Sequence, residues 1–213
     1  MAPRRIVVFG SSSIYGSEDV ELGGFVNRLR LWYETVNPRN RVYNLGIWGE
    51  QTRDMCERVL REAPPRRPDL IMVYPGFNDC RRDGTIGSPN AVSLNDYRET
   101  IDRMVANSQS IAETIVLTGI PFDETRTAPY GDSQSYYLID DAAKYNKALV
   151  ETARSRNARL LDFFTLFQHQ DMDALLADDG LHCNARGHEW MFKFTRDFLQ
   201  EAFLVGDSGE RPG

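Results

Sequence analysis

A chain of 213 residues with 41% hydrophobic content can bury one well-filled core, so a single domain over residues 1–205 is expected, followed by a tail over Gly206–Gly213 that lacks apolar residues and should be mobile. The formal net charge of −6 leaves no basic field to hold a phosphate backbone, which argues against a nucleic-acid partner. No segment stays apolar for the length of a membrane span, and the start, MAPRRIVVFG, enters a glycine loop after too short an apolar stretch for a secretory signal.

In chain order, the first predicted element is a buried strand, Arg4 to Phe9, a β-branched and aromatic run that stops at Gly10. Similar runs place strands at Arg41 to Leu45 and Asp69 to Tyr74. Arg81 to Pro89, rich in Gly, Pro, Asp and Thr, reads as a loop at the carboxyl end of the third strand. Leu94, Tyr97, Ile101, Met104 and Val105 then recur at three-and-four spacing, one buried face of a helix. A fourth strand is expected at Glu113 to Gly119, a second loop at Pro121 to Ser135, and a helix carrying Ile139, Ala143, Tyr145, Ala148 and Leu149 on its inner face. The fifth strand is Ala158 to Asp162, and Trp190, Phe194, Phe198 and Ala202 mark a terminal helix. Strands alternating with helices need right-handed crossovers, so the fold class is α/β: a doubly wound, five-stranded parallel sheet in a three-layer αβα sandwich.

Four short motifs fall where such a sheet places its ligands. Gly10-Ser11-Ser12-Ser13-Ile14-Tyr15-Gly16 follows strand one, a block from Asn44 to Thr52 containing Trp48 and Gly49 follows strand two, and Gly76-Phe77-Asn78-Asp79 follows strand three. Asp179-Gly180-Leu181-His182 comes late, with Asn184 and Gly187-His188 behind it. Each has a plain reading: small polar residues suit turns, and a histidine before a helix is often structural. Neighbouring strands are only ~4.8 Å apart, however, so if strands two, one and three are adjacent their loops share one crevice.

The ordered set resembles the four blocks of the SGNH, or GDSL-type, hydrolases over about Arg5 to Phe198. The resemblance implies a flavodoxin-like strand order and activity on esters or thioesters, with lipids, aryl esters and acetylated sugars among the family's substrates. Residue by residue it makes Ser12 the nucleophile, Asp179 and His182 its base system, and Gly49 and Asn78 oxyanion donors beside the Ser12 amide. Ser11 stands where that family usually has aspartate, Ser13 where it has leucine, Glu50 where aspartate is frequent, and Cys183 where proline is common. A literal Gly206-Asp207-Ser208 in the tail has no strand before it or helix after it and is read as chance.

Ester cleavage needs an activated nucleophile, a proton carrier and donors facing the oxyanion. The motifs supply all three, with glycine at 49 expected because a missing Cβ lets backbone approach the reacting carbon. Of the three histidines, His169 lies in a polar run and His188 in the first turn of the last helix, where packing or capping is expected. Trp48 sits inside a site motif and is expected in the substrate pocket, Phe77 and the Tyr136-Tyr137 pair in the core. Arg81 and Arg82 could meet an anionic substrate, but a solvated loop is the plainer expectation.

Asp171, Asp173, Asp178 and Asp179 lack the turn glycine and closing glutamate of a calcium loop and read as a solvated helix flank. Cys56, Cys80 and Cys183 are odd in number, far apart and free of CxxC spacing, which indicates neither disulfide nor zinc. No metal or cofactor is therefore expected, and a reducing cytoplasm is the expected compartment, with a small-molecule, glycan or lipid ester as substrate. Three rivals stay open at this level. An acyltransferase would use the same residues, and an inactive glycan-binding relative would keep the fold. A nucleotide-binding protein would use the Gly10-to-Gly16 loop, but the middle glycine is missing and no tyrosine is followed four residues later by lysine.

Overall fold

The computed structural model describes residues 2–204, so the tail expected over Gly206–Gly213 and its Gly206-Asp207-Ser208 lie outside the described residues. The strands are β1 (Arg5–Gly10), β2 (Arg41–Gly46), β3 (Leu70–Tyr74), β4 (Arg82–Asp83), β5 (Glu113–Leu117), β6 (Ser135–Tyr136) and β7 (Arg159–Leu161). The longer helices are α2 (Gly24–Val36), α3 (Thr52–Glu62), α4 (Leu94–Gln109), α6 (Ile139–Ser155) and α9 (Ala185–Leu199). Short helices fill the connections: α1 (Ser12–Tyr15), α5 (Glu124–Thr127), α7 (Phe163–Phe167) and α8 (Met172–Leu175).

Five strands form one sheet in the order β2-β1-β3-β5-β7, every pairing parallel. Counted among the parallel strands alone this is the 2-1-3-4-5 order of a flavodoxin-like sheet, whose direction of winding reverses between β1 and β3. The register brings Gly10 level with Gly46 and with Tyr74, so β2, β1 and β3 end side by side. Glycine is required at 10 by close approach: a Cβ there would lie 2.1 Å from Ile14 Cγ1 and 2.9 Å from the Tyr74 carbonyl oxygen.

The pleat sends alternate residues of β1 to opposite faces, yet every residue from Ile6 to Gly10 is buried, because helices cover both sides. Val7 and Phe9 join Val73 and Val116 under Met55 and Val59 of α3, Ile101 and Met104 of α4 and Tyr145 of α6. Ile6 and Val8 join Met72 and Leu117 under Phe25 and Leu29 of α2 and Met191 of α9. Each such side chain contributes roughly 1.5–3 kcal/mol of burial, enough to hold the two helical layers against the sheet.

The strands lie where the β-branched runs place them. β5 stops at Leu117, short of the expected Gly119, although the Thr118 amide still donates to the Leu161 carbonyl of β7 at 3.2 Å; the Thr118 side chain donates to Asp162 Oδ1 at 3.0 Å and accepts from the Phe164 amide at 2.9 Å. The two predicted loops contain more order than their composition indicates. β4 and β6 pair antiparallel, with the Gly84 amide donating to the Gln134 carbonyl at 2.7 Å, and Arg82 reaches Asp141 of α6 at 2.7 Å. Two-residue strands show no alternation, so this ribbon, which ties one loop to the other, has no signature in sequence. No helix among the described residues is long and apolar enough to cross a membrane.

Candidate active site

The chain leaves β1 at Gly10 and turns at once into α1, whose first residue is Ser12. Ser11 precedes the helix without a side-chain cap, so this loop is braced by other groups. The Ser11 carbonyl accepts from the Ile14 and Tyr15 amides at 3.1 and 3.0 Å, the Asn44 side chain donates to the Ile14 carbonyl at 2.6 Å, and the Ile47 amide donates to the Gly10 carbonyl at 2.9 Å. Backbone groups and Asn44 from β2 thus hold the loop in which Ser11 stands. As the first helical residue, Ser12 has an amide with no acceptor inside the helix.

Opposite it, the Asp179–His182 turn is closed by its own carboxylate: Asp179 Oδ1 accepts from the Leu181 and His182 amides at 2.9 and 3.0 Å. Asn184 caps α9 by accepting from the Arg186 and Gly187 amides and donates to the Ala174 and Leu176 carbonyls, which fixes the loop to α8. His182 Nδ1 lies 2.5 Å from Asp179 Oδ2, and His182 Nε2 lies 2.7 Å from Ser12 Oγ. Burial alone would raise Asp179, but hydrogen bonds from the His182 ring and amide and from the Leu181 amide outweigh it and hold the carboxyl well below its usual range. An ionised Asp179 can only accept, so Nδ1 carries the proton and Nε2 is free to take one from Ser12.

The loops after β2 and β3 are joined to each other. Asn78 Nδ2 donates to the Glu50 carbonyl at 3.0 Å, and its Oδ1 accepts from the Tyr137 hydroxyl at 3.1 Å, so one amide hydrogen of Asn78 is left over. Asp79 accepts from the Thr52 hydroxyl at 2.7 Å and from the Thr52 amide at 3.2 Å, capping α3 from outside. Glu50 is buried against Arg58 of α3, whose Nη1 reaches its two carboxylate oxygens at 2.8 and 2.7 Å. Gly49 has φ +70°, and a Cβ there would meet open space. The left-handed backbone favours glycine at this position.

The match to a family model now decides the family: residues 8–190 match the GDSL-like lipase/acylhydrolase family. The chain belongs to that family. Among curated proteins it is similar to GDSL esterase/lipase CPRD49 of Arabidopsis thaliana, 27% identical over 196 residues that cover 86% of this chain and 73% of that protein. It is also similar to an acetylxylan esterase of Geobacillus stearothermophilus, 26% identical over 167 residues, 76% of this chain and 71% of that one. Among solved structures it is similar to a lipase/acylhydrolase from Enterococcus faecalis, with TM-score 0.75, 20% identity and coverage of 93% of this chain and 96% of that one. At that identity the likeness is one of fold. As a member of the GDSL-like lipase/acylhydrolase family, the protein is an esterase or acylhydrolase.

In this GDSL-like chain Ser12, His182 and Asn78 line two cavities. The wider, about 240 Å³, is walled by Trp48, Gly49, Arg81, Tyr130 and Tyr137. The narrower, about 30 Å³, is walled by Ser11, Ser13, Tyr74, Phe77 and Ile120. Trp48 is 60% exposed, stacks on the His182 ring at 5.9 Å and 14°, and hydrogen-bonds Ser17 Oγ. Arg81, expected in solvent, is half-buried at the wider cavity, because Asp83 takes its Nε and Nη2 at 2.9 and 3.0 Å and neutralises it there.

His188 is fully buried away from this chain of groups, accepting from the Phe25 amide at 3.2 Å and donating to the Ser17 carbonyl at 2.8 Å. Burial lowers its pKa, which keeps it neutral and suited to that pair of bonds. His169 is exposed, Asp171 caps α8, and Asp173 lies 3.7 Å from Arg126. Two groups are absent from the sequence reading: Tyr130, whose hydroxyl donates to Asp179 Oδ2 at 3.0 Å, and Arg58. Tyr137 is buried as expected of a core residue, but its hydroxyl is a site contact. The spacing of a tyrosine in a loop carries no sign of a partner 49 positions away.

Proposed function

We propose that the protein hydrolyses carboxylic esters of short acyl groups, with Ser12 as nucleophile, His182 as general base and acid, and Asp179 holding the imidazole tautomer. The observation that carries this reading is the unbroken series from Asp179 through His182 to Ser12 at 2.5 and 2.7 Å, opening on two cavities. In the forward step His182 Nε2 takes the proton of Ser12 as Oγ attacks the carbonyl carbon. The oxyanion faces the Ser12 and Gly49 amides and the spare amide hydrogen of Asn78, donors already oriented before charge develops. His182 then protonates the leaving alkoxide, the alcohol departs, and water deprotonated by the same nitrogen releases the acid from Ser12.

The cavities divide the substrate. The narrow one, about 30 Å³ against about 240 Å³ for the wider, suits the methyl of an acetyl group better than a longer chain. The wider one takes the alcohol portion, against the face of Trp48. Similarity to an acetylxylan esterase supports an acetylated sugar hydroxyl as that alcohol. The cytoplasm is the compartment this reading assigns, where Cys56, Cys80 and Cys183 remain buried free thiols.

A panel of p-nitrophenyl esters from acetate to long chains, run beside acetylated xylan with and without EDTA, tests the proposal. Acetate should be cleaved fastest, butyrate at least ~10-fold more slowly in kcat/KM, with no effect of EDTA. Activity that needs metal, or that rises with chain length, would contradict it.

A further inference from the structure

We propose that Tyr130 and Tyr137 are positioning residues for this reaction, Tyr130 acting through Asp179 and Tyr137 through Asn78, so that the segment 121–138 holds the proton relay and the oxyanion donor together. The proposal rests on the roles given above to Ser12, His182, Asp179 and Asn78.

An ionised carboxylate has about four acceptor sites. Asp179 fills them with the Leu181 amide, the His182 amide, His182 Nδ1 and the Tyr130 hydroxyl. Three of these donors belong to the same four-residue turn, and the fourth comes from 49 positions earlier. Tyr130 shares Oδ2 with the imidazole, so it fixes the carboxylate rotation that aims Oδ2 at Nδ1 and spreads the charge between two donors. Burial and the neighbouring Asp179 charge raise the Tyr130 phenol, so it stays a donor wherever the enzyme works.

At Asn78 the question is which end of the amide faces which neighbour. The Glu50 carbonyl can only accept, so it claims an amide hydrogen, and the Tyr137 hydroxyl donates to Oδ1. Without that hydroxyl Oδ1 would be buried and unsatisfied, and the amide would be free to rotate away from the orientation that presents its second hydrogen to the cavity. Tyr137 therefore determines where the spare donor points.

One rigid clip carries both tyrosines. Their rings meet edge to face at 5.6 Å and 79°, and Tyr137 packs on Phe122, which packs on Phe77, at 6.1 and 5.8 Å. The Tyr130 amide donates to the Ser135 carbonyl at 2.7 Å, the Tyr137 amide to the Thr127 carbonyl at 2.9 Å, and the Asp123 amide to the Gly180 carbonyl at 2.9 Å. The last bond ties the clip to the turn that carries Asp179 and His182.

The test uses Tyr130→Phe and Tyr137→Phe, which keep the ring stack and remove one oxygen each, assayed with p-nitrophenyl acetate below the Tm of every variant. Tyr130→Phe should lower kcat ~10-fold or more, a donor to a charged group being lost, and Tyr137→Phe ~3- to 10-fold, with KM within about twofold in both. Tyr130→Phe should have no effect in an Asp179→Ala background and its full effect in Asn78→Ala, and Tyr137→Phe the reverse. Native kcat in both Phe variants, or equal losses in every background, would overturn the proposal. An active Ser12→Ala enzyme would overturn the underlying roles and the clip with them. A dead Ser12→Ala enzyme beside fully active Phe variants would overturn the clip alone.

Discussion

Ser11, Ser12 and Ser13 occupy successive positions of one loop, but it is Ser12 whose hydroxyl lies 2.7 Å from an imidazole. Ser12→Ala should therefore lose at least ~10³-fold in kcat, while Ser11→Ala and Ser13→Ala keep measurable turnover on p-nitrophenyl acetate. Asn78→Ala should lower kcat by ~10²- to 10³-fold with KM nearly unchanged, since a neutral donor gains most from the oxyanion. Asn78→Asp should be worse, because a carboxylate there repels the developing charge. The two buried histidines separate the same way: His182→Ala should abolish activity, and His188→Ala should lower the Tm while the folded enzyme still turns over. At this scale sequence was informative wherever a role depends on residues near in the chain, as in the Asp179 to His182 turn. It was silent on Tyr130 and Arg58, whose significance is set by groups brought together only by the folded loops.

At the scale of elements, the start of α3 is where the second and third motifs become one unit. Asn78 holds the Glu50 carbonyl, Asp79 caps Thr52, and Arg58 neutralises the Glu50 side chain. Both Arg58 and Glu50 are almost fully buried, so Arg58→Ala, which strands a charge, should cost about 3–5 kcal/mol in chemical denaturation, more than removing both partners together. Glu50 was visible in sequence as a departure from the family pattern, but its partner was not, because an arginine on a charged helix looks solvated. The β4–β6 ribbon was hidden for a different reason: two residues are too few to show a period. Long elements with a repeated apolar spacing, such as α4 and α6, were legible because burial on one face repeats at every turn.

Over the whole molecule, the parallel sheet order places the ends of β2, β1 and β3 side by side, and the site follows from that topology. The strand order was implied by resemblance and by the alternating pattern together; periodicity by itself gives the strands without their order. Two buried groups give the fold a pH dependence of opposing signs. Burial, against the lowering effect of the Thr52 hydrogen bonds, pushes Asp79 up to about 6 from an unfolded value of 3.8. Its contribution to stability is thus complete below about pH 4 and lost as pH rises through about 6. His188 is lowered from 6.5 by burial, so its contribution is present above 6.5 and lost as pH falls through its lower folded value. Asp79→Asn should remove the first contribution alone: the Tm of the native protein should fall relative to that variant as pH rises from about 4 to about 6, and parallel curves across that range would contradict the assignment. The role of Ser12 as nucleophile is tested most directly by covalent capture with diisopropyl fluorophosphate, followed by mass spectrometry of the peptides and by residual esterase activity. One phosphoryl adduct per chain is expected, on Ser12, with activity lost in step and no adduct in Ser12→Ala. An adduct on another residue, or full activity after Ser12 is modified, would contradict that role.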